Sequence, residues 1–190
     1  MQEDPFEYMK KEEIPKEFYS DLENAPFCSC TFCNKDLLSG SELYMIEKSY
    51  KINPVNDKRN TIFEYAICAS CSFRKMQAMS EESVQNIQAY MQEKFVIDDW
   101  DSSRKLHFER CVVTGKPVSE LEEYNMIGQF IGNEMIIGQF PVVMSPSIGE
   151  ELQELLSQQT KDEFDDFMST INNVPPELKE LFKSKRPVLV

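Results

Sequence analysis

The sequence predicts an α+β protein in which a β-hairpin followed by helices occurs twice along the chain. Two Cys-x-x-Cys pairs, Cys30 with Cys33 and Cys68 with Cys71, flank the first predicted hairpin. Runs of β-branched and aromatic residues predict the strands, because such side chains pack well on a pleated surface. Apolar residues at helical spacing follow each hairpin and predict amphipathic helices.

The chain of 190 residues is long enough to bury a core, and it is strongly acidic. It has 33 Asp and Glu against 20 Lys and Arg, which gives a formal net charge of -13. This charge repels phosphate backbones and anionic lipids. The sequence therefore argues against nucleic acid and membranes as partners and favours a protein with a basic surface. Residues 48–59 and 183–186 form two small basic stretches that depart from this average.

The sequence also indicates the compartment in which the cysteines operate. The first residues show no cationic region followed by an apolar run, and no apolar stretch reaches about 18 residues. We therefore expect no secretory signal, no membrane span and a cytoplasmic location. Thiols stay reduced in the cytoplasm, so paired cysteines there indicate a metal site more often than a disulfide.

The two cysteine pairs predict a site for one structural zinc ion, with Cys30, Cys33, Cys68 and Cys71 as its ligands. Zinc takes four thiolates in a tetrahedron, and each turn can present two of them. Asn34 follows the first pair where a left-handed backbone is commonly needed, and Asn tolerates that conformation. Four cysteines leave no open coordination position, which favours a structural ion. An iron–sulfur cluster uses the same ligands and stays an alternative.

A cysteine turn, a hairpin and a cysteine pair at the start of a helix follow one another over residues 28–80. This order resembles a treble-clef zinc finger, and the resemblance implies the same four cysteines as ligands. The spacing of 34 residues between the pairs exceeds the about 15–20 of the commonest paired-cysteine signature. A long hairpin accounts for the difference.

The second half of the chain repeats this pattern with the ligands replaced. The positions that align with the four ligands are Cys111, Thr114, Met144 and Ser147. Gly115 takes the place of Asn34 after the first turn. Hydroxyl and thioether groups bind structural zinc poorly, so this degenerate copy is expected to be free of metal and held by packing.

The helices that follow the two hairpins also align. Ser80 and Thr160 are each predicted to start a helix, Thr160 as part of a capping box. Beyond them, apolar stripes at matching spacing are expected to be buried. The aligned stripes are Val84, Ile87, Gln88 and Met91 in the first half and Phe164, Phe167, Met168 and Ile171 in the second.

We divide the chain into four segments at its turn-rich and acidic stretches. These are an N-terminal arm (1–27), a zinc-binding module (28–103), a degenerate metal-free copy (104–174), and a helical turn with a tail (175–190).

The expected function is that of a zinc-stabilised, non-enzymatic protein-binding or adaptor module with an acidic surface. No hydrolase or phosphate-binding motif is visible, and His107 is the only histidine. Two alternatives stay open. Cys28, close to the first pair, could serve a thiol- or metal-responsive sensor, or a hydrolase site could gather His107, Asp98 and Cys111.

Overall fold

The computed structural model describes residues 8–94 and 108–170. Within these ranges, the strands are β1 (Lys10–Glu13), β2 (Leu43–Ile52), β3 (Arg59–Cys68), β4 (Glu123–Ile131), β5 (Glu134–Ile137) and β6 (Val142–Met144). The described helices are α1 (Ala69–Ala78), α2 (Glu81–Lys94), α3 (Pro146–Glu154) and α4 (Gln158–Thr170). The α+β class predicted from the sequence is confirmed.

The two predicted hairpins join into one antiparallel sheet through their first strands, β2 and β4. The strand order is β1-β5-β4-β2-β3, and β6 pairs with β4 beyond the end of β5. Leu43 lies opposite Ile131 at one end of the β2–β4 ladder, and Lys51 lies opposite Glu123 at the other. Local turn signals predict hairpins but not which hairpins pair with each other. One continuous core therefore spans both halves.

The second hairpin is less regular than the first. Its turn places Gly132 at a φ of 52°, in the left-handed region that glycine readily adopts. The sequence predicts one return strand over residues 135–143, but the structure divides it into β5 and β6. Residues 138–141 lie between the two pieces and include the cis peptide bond of Phe140 and Pro141.

The described part of the N-terminal arm packs onto the sheet. β1 pairs with β5 at the sheet edge, and Phe18 is fully buried with its ring centroid 5.0 Å from that of Phe130. Gly128 makes room for this contact, because a Cβ there would lie 2.7 Å from the Phe18 ring. The arm thus closes one face of the core.

Lys48 on β2 is a fully buried charge. Its Nζ lies 3.0 Å from Asp21 and 3.1 Å from Glu64, and it donates to the carbonyl of Tyr19. A buried ammonium is tolerated when carboxylates and hydrogen bonds replace its water. This cluster fastens the N-terminal arm to β2 and β3.

The helices α2 and α4 begin at one shared junction. The Ser83 amide donates to the Ser80 hydroxyl at 3.2 Å, which confirms Ser80 as the cap of α2. The Thr160 amide donates to Ser157 at 3.3 Å, so Ser157 caps α4, three residues before the predicted start. The two helix starts also hydrogen-bond to each other. The Ser80 amide donates to the Thr160 hydroxyl, and the Ser157 amide donates to the Ser83 hydroxyl.

Along the described parts of the chain, no helix is both long and apolar enough to cross a bilayer. The predicted boundary between residues 103 and 104 lies outside the described residues, as does the tail over 175–190.

Candidate metal centre

The structure brings the four predicted ligands together. One sulfur from each of Cys30, Cys33, Cys68 and Cys71 lies within 4.8 Å of every other, so the cluster could hold a metal ion. The Sγ atoms of Cys33 and Cys68 are 3.7 Å apart. Cys33 is exposed, whereas the other three side chains are buried. The cluster thus lies at the margin of the core, with one thiol facing solvent.

A tight turn positions the first cysteine pair. The Cys30 amide donates to the Lys35 carbonyl at 2.8 Å, and the Asn34 amide donates to the Cys30 carbonyl at 2.9 Å. Asn34 has a φ of 57°, as expected for a left-handed residue after this turn. The Thr31 amide donates to Ala66 at 2.9 Å, which ties the turn to the end of β3.

The start of α1 positions the second pair. Cys68 ends β3 and precedes α1 with extended backbone, and Cys71 lies in the first helical turn. Two hydrogen-bond donors, one from the backbone and one from a side chain, reach sulfurs of this cluster. The Cys68 amide points at the Cys30 sulfur over 3.5 Å, and Arg74 Nη2 lies 2.9 Å from the Cys71 sulfur. The hydrogen bond from Arg74 favours the thiolate form of Cys71.

The electrostatics of the bare thiols indicate why a cation would stabilise the cluster. Burial raises the pKa of Cys68 to about 12 and also raises the pKa of Cys71. Burial opposes ionisation of Cys33 as well, but hydrogen bonds from the Lys35 backbone and the neighbouring thiols outweigh it and lower its pKa. Several adjacent thiolates therefore need a compensating positive charge, which a bound metal ion supplies.

Glu42 connects the two halves of the cluster from outside. It forms an ion pair with Lys35 of the first turn and accepts hydrogen bonds from the Ser70 amide at 3.0 Å and hydroxyl at 2.6 Å. The hydrogen bonds from Lys35 and Ser70 lower the pKa of Glu42 to about 2. Sequence reasoning missed Glu42, because it lies outside both Cys-x-x-Cys motifs, in a stretch with no motif of its own.

Cys28 does not belong to the cluster of four sulfurs and is exposed. Its carbonyl accepts a hydrogen bond from the Leu37 amide at 3.0 Å, which closes the loop around the first turn. The role of its thiol in a sensor therefore stays a prediction.

The turn at Cys111 has the same geometry as the turn at Cys30. The Cys111 amide donates to the Lys116 carbonyl at 2.9 Å, and the Gly115 amide donates to the Cys111 carbonyl at 2.9 Å. Gly115 has a φ of 67°, close to that of Asn34. The buried Cys111 sulfur accepts a hydrogen bond from the Thr114 amide at 3.5 Å.

At the start of α3, the residue whose contacts are similar to those of Cys68 lies one position after the residue that the sequence alignment uses. The Ser145 amide points at the Cys111 sulfur over 3.4 Å, just as the Cys68 amide points at the Cys30 sulfur. Ser145 also precedes α3 as Cys68 precedes α1. By this hydrogen-bond geometry, the positions similar to those of Cys68 and Cys71 are Ser145 and the buried Ile148, whereas the sequence alignment uses Met144 and Ser147.

Of the three residues of the alternative hydrolase site, only Cys111 is among the described residues. Cys111 is buried and hydrogen-bonded, whereas Asp98 and His107 lie outside the described residues. Burial opposes ionisation of the Cys111 thiol, but hydrogen bonds from Thr114 and Ser145 outweigh it and lower its pKa. The hydrolase alternative stays a prediction.

The fold and the cluster define an α+β protein with four cysteines placed to hold a metal ion. No protein-family model matches the chain, and comparisons with curated proteins and with solved structures found no match either. The chemistry of the site and of the surface is therefore the basis for assigning a function.

Proposed function

We propose that this chain is a zinc-stabilised, non-enzymatic protein-binding module. One structural zinc ion would bind Cys30, Cys33, Cys68 and Cys71 in a reduced, cytoplasmic setting. A tetrahedron of about 2.3 Å zinc–sulfur bonds has edges of about 3.8 Å, and the sulfurs of Cys33 and Cys68 lie 3.7 Å apart. An iron–sulfur cluster spreads its thiolates over several iron atoms and fits this compact set less well.

The treble-clef-like arrangement and its duplication belong to the same proposal. Turn, hairpin and helix start meet at the first cluster, which supports the treble-clef comparison. The matching turn hydrogen bonds at Cys30 and Cys111 support a second copy. In that copy, hydrogen bonds among Cys111, Thr114 and Ser145 take the place of the ion.

An open apolar groove between α1 and α2 is the observation on which the binding role rests. The apolar stripe of α2 was expected to be buried, but its side chains line a groove of about 450 Å³ on the described surface. The groove residues are Met76, Met79, Val84, Ile87, Gln88, Met91 and Gln92. Met76 is 41% exposed, and Phe73, one turn earlier on α1, is 60% exposed. Methionine side chains adapt to different partners, which suits a peptide-binding surface.

A strongly acidic face lies on the other side of α2 from this groove. The helices α3 and α4 carry one lysine, Lys161, and several exposed carboxylates, which are Glu150, Glu151, Glu154, Asp162, Glu163, Asp165 and Asp166. α2 separates the two surfaces: Tyr90 on α2 donates to Glu151 at 2.8 Å, and Asn86 donates to the Leu155 carbonyl at 3.2 Å. A ligand in the groove would therefore bind to a helix that has negative charge on its other side.

These surfaces fit an amphipathic helix from a basic protein. Its apolar residues at i, i+3, i+4 and i+7 would fill the groove, and the Lys and Arg residues of its opposite face would be attracted by the field of the acidic helices α3 and α4. The metal centre would hold α1 in place, since Cys71 lies in the first turn of the helix that provides Met76.

The test is a selection of peptides that bind the zinc-loaded chain, from a library of helical sequences. We expect enriched peptides with apolar residues at helical spacing and a basic opposite face. Fluorescence anisotropy should show binding that weakens as salt rises. Met91→Glu should weaken it by about tenfold or more, because it places a charge against an apolar ligand surface.

Val55→Glu is the matched control. Val55 is 90% exposed in the turn between β2 and β3 and does not line the groove, so the same charge change should leave affinity within about twofold. The proposal would be overturned if Met91→Glu, shown by circular dichroism to be folded, bound the selected peptides as tightly as the parent chain.

A further inference from the structure

A second concave surface lies at the opposite end of the first hairpin from the cysteine cluster. It is a pocket of about 490 Å³ between the N-terminal arm and the ends of β2 and β3. The lining residues are Lys16, Glu17, Asp21, Tyr50, Lys58, Arg59 and Thr61. This volume lies in the range of small-molecule binding sites. The basic stretch over residues 48–59, which the predicted function does not use, supplies most of its cations.

Two tyrosines fix the arginine of this pocket. The Arg59 guanidinium lies 5.6 Å from the centroid of the buried Tyr50 ring, and its Nη1 donates to the Tyr124 hydroxyl at 3.3 Å. The rings of Tyr50 and Tyr124 contact each other at 5.4 Å between centroids. Because one nitrogen anchors the group, the remaining N–H donors are held in a defined orientation for a ligand.

Positive charge predominates among the side chains that line the pocket, although the whole chain carries a formal net charge of -13. No described carboxylate forms an ion pair with Lys16, Lys58 or Arg59. Lys48, which does not line the pocket, forms ion pairs with Asp21 and Glu64. Asp21 is already engaged, since it pairs with Lys48 and accepts from the Thr61 hydroxyl. Glu17 is the remaining carboxylate, and it can accept hydrogen bonds from hydroxyl groups of a ligand.

We propose that this pocket binds a small phosphorylated ligand with a hydroxyl-bearing body, of the sugar-phosphate class. Lys16, Lys58 and Arg59 would bind the phosphate, for which the planar fork of arginine is well suited. Glu17 would accept hydrogen bonds from the hydroxyl groups. The site is separate from the groove between α1 and α2, because the two share no lining residue.

The test uses the full, zinc-loaded chain labelled with ¹⁵N and titrated with ribose 5-phosphate, ribose or inorganic phosphate. We expect saturable shifts of the Lys58, Arg59 and Thr61 amides with ribose 5-phosphate. Inorganic phosphate should shift the same amides at higher concentration, and ribose should leave them unchanged. Absence of saturable shifts with ribose 5-phosphate at about 10 mM would overturn the proposal.

Substitutions locate the site. The double variant Lys58→Gln/Arg59→Gln should weaken binding at least about tenfold, since it removes charge-assisted hydrogen bonds. The double variant Lys116→Gln/Lys161→Gln removes the same charge away from the pocket and should change affinity by less than about twofold. If both double variants lowered the affinity equally, the binding would reflect the overall charge of the chain, and the proposed site would be wrong. Lys16→Gln replaces the first variant if its melting curve shows that it is unfolded.

Discussion

The Ser80 amide donates a hydrogen bond to the Thr160 hydroxyl over 3.0 Å, across 80 residues of sequence. In the reciprocal hydrogen bond, the Ser157 amide donates to the Ser83 hydroxyl at 2.8 Å. Ser83 and Thr160 are both fully buried, so these are contacts that water cannot replace. The first turns of α2 and α4 therefore cap each other, and each half of the chain satisfies donors of the other.

We expect Ser83→Ala and Thr160→Ala each to lower the free energy of unfolding by about 1–2 kcal/mol. Each change leaves a half-buried amide of the other half, that of Ser157 or Ser80, without its acceptor. Urea denaturation monitored by circular dichroism measures the effect. Gln159→Ala, at the exposed neighbour of Thr160, is the control and should cost less than about 0.5 kcal/mol.

Loss of one cluster cysteine should abolish metal binding, whereas loss of Cys28 should not. We expect about one zinc ion per chain in the parent protein and in Cys28→Ser, and none retained in Cys71→Ser, because three thiolates cannot close the site. Elemental analysis of the purified chains gives the stoichiometry. A chelator should lower the melting temperature of the parent and of Cys28→Ser alike. Zinc lost from Cys28→Ser would place Cys28 among the ligands.

The second half should accept a metal once cysteines are placed at the structurally matched positions. Thr114→Cys/Ser145→Cys/Ile148→Cys, together with the native Cys111, should raise the content to about two zinc ions per chain. The triple variant Thr114→Cys/Met144→Cys/Ser147→Cys follows the sequence alignment instead and should stay at about one. If the second variant gained the ion and the first did not, the one-residue correction would be wrong.

Lys48 should be far more important for stability than its neighbours on β2. We expect Lys48→Ala to lower the free energy of unfolding by about 3 kcal/mol, because Glu64, only 11% exposed, loses its counter-charge. Lys51→Ala breaks an ion pair with Glu123 in which the lysine is 62% exposed, and it should cost less than about 1 kcal/mol. Equal effects in urea denaturation would contradict the assignment of Lys48 as a buried anchor.

Much of the local structure could be predicted from the sequence. β2 covers the predicted residues 43–52, and α3 begins at Pro146 as its first-turn proline indicates. The four cysteines come together in the structure because each pair lies on a local motif. Local patterns have short-range physical causes, so a sequence is sufficient to predict them.

The long-range features could not be predicted. Nothing local distinguishes β2 and β4 as partners, since register between hairpins depends on which faces are buried together. A Lys at position 48 normally indicates a solvated face, and only the arm folding back with Asp21 explains its burial. The sequence alignment uses Met144, whereas the hydrogen-bond geometry points to Ser145, because differing loop lengths between the turns hide a one-residue shift.

The β2–β4 ladder joins nine residue pairs across the two halves. If the halves were expressed as separate chains, each would present the facing edge of β2 or β4 without its partner. Exposed strand edges are templates for association with other copies, so we expect isolated halves to aggregate or to exchange strands. Linkage in one chain prevents this, because it holds the matching edge at a high effective concentration. Co-expression of both halves should then rescue solubility.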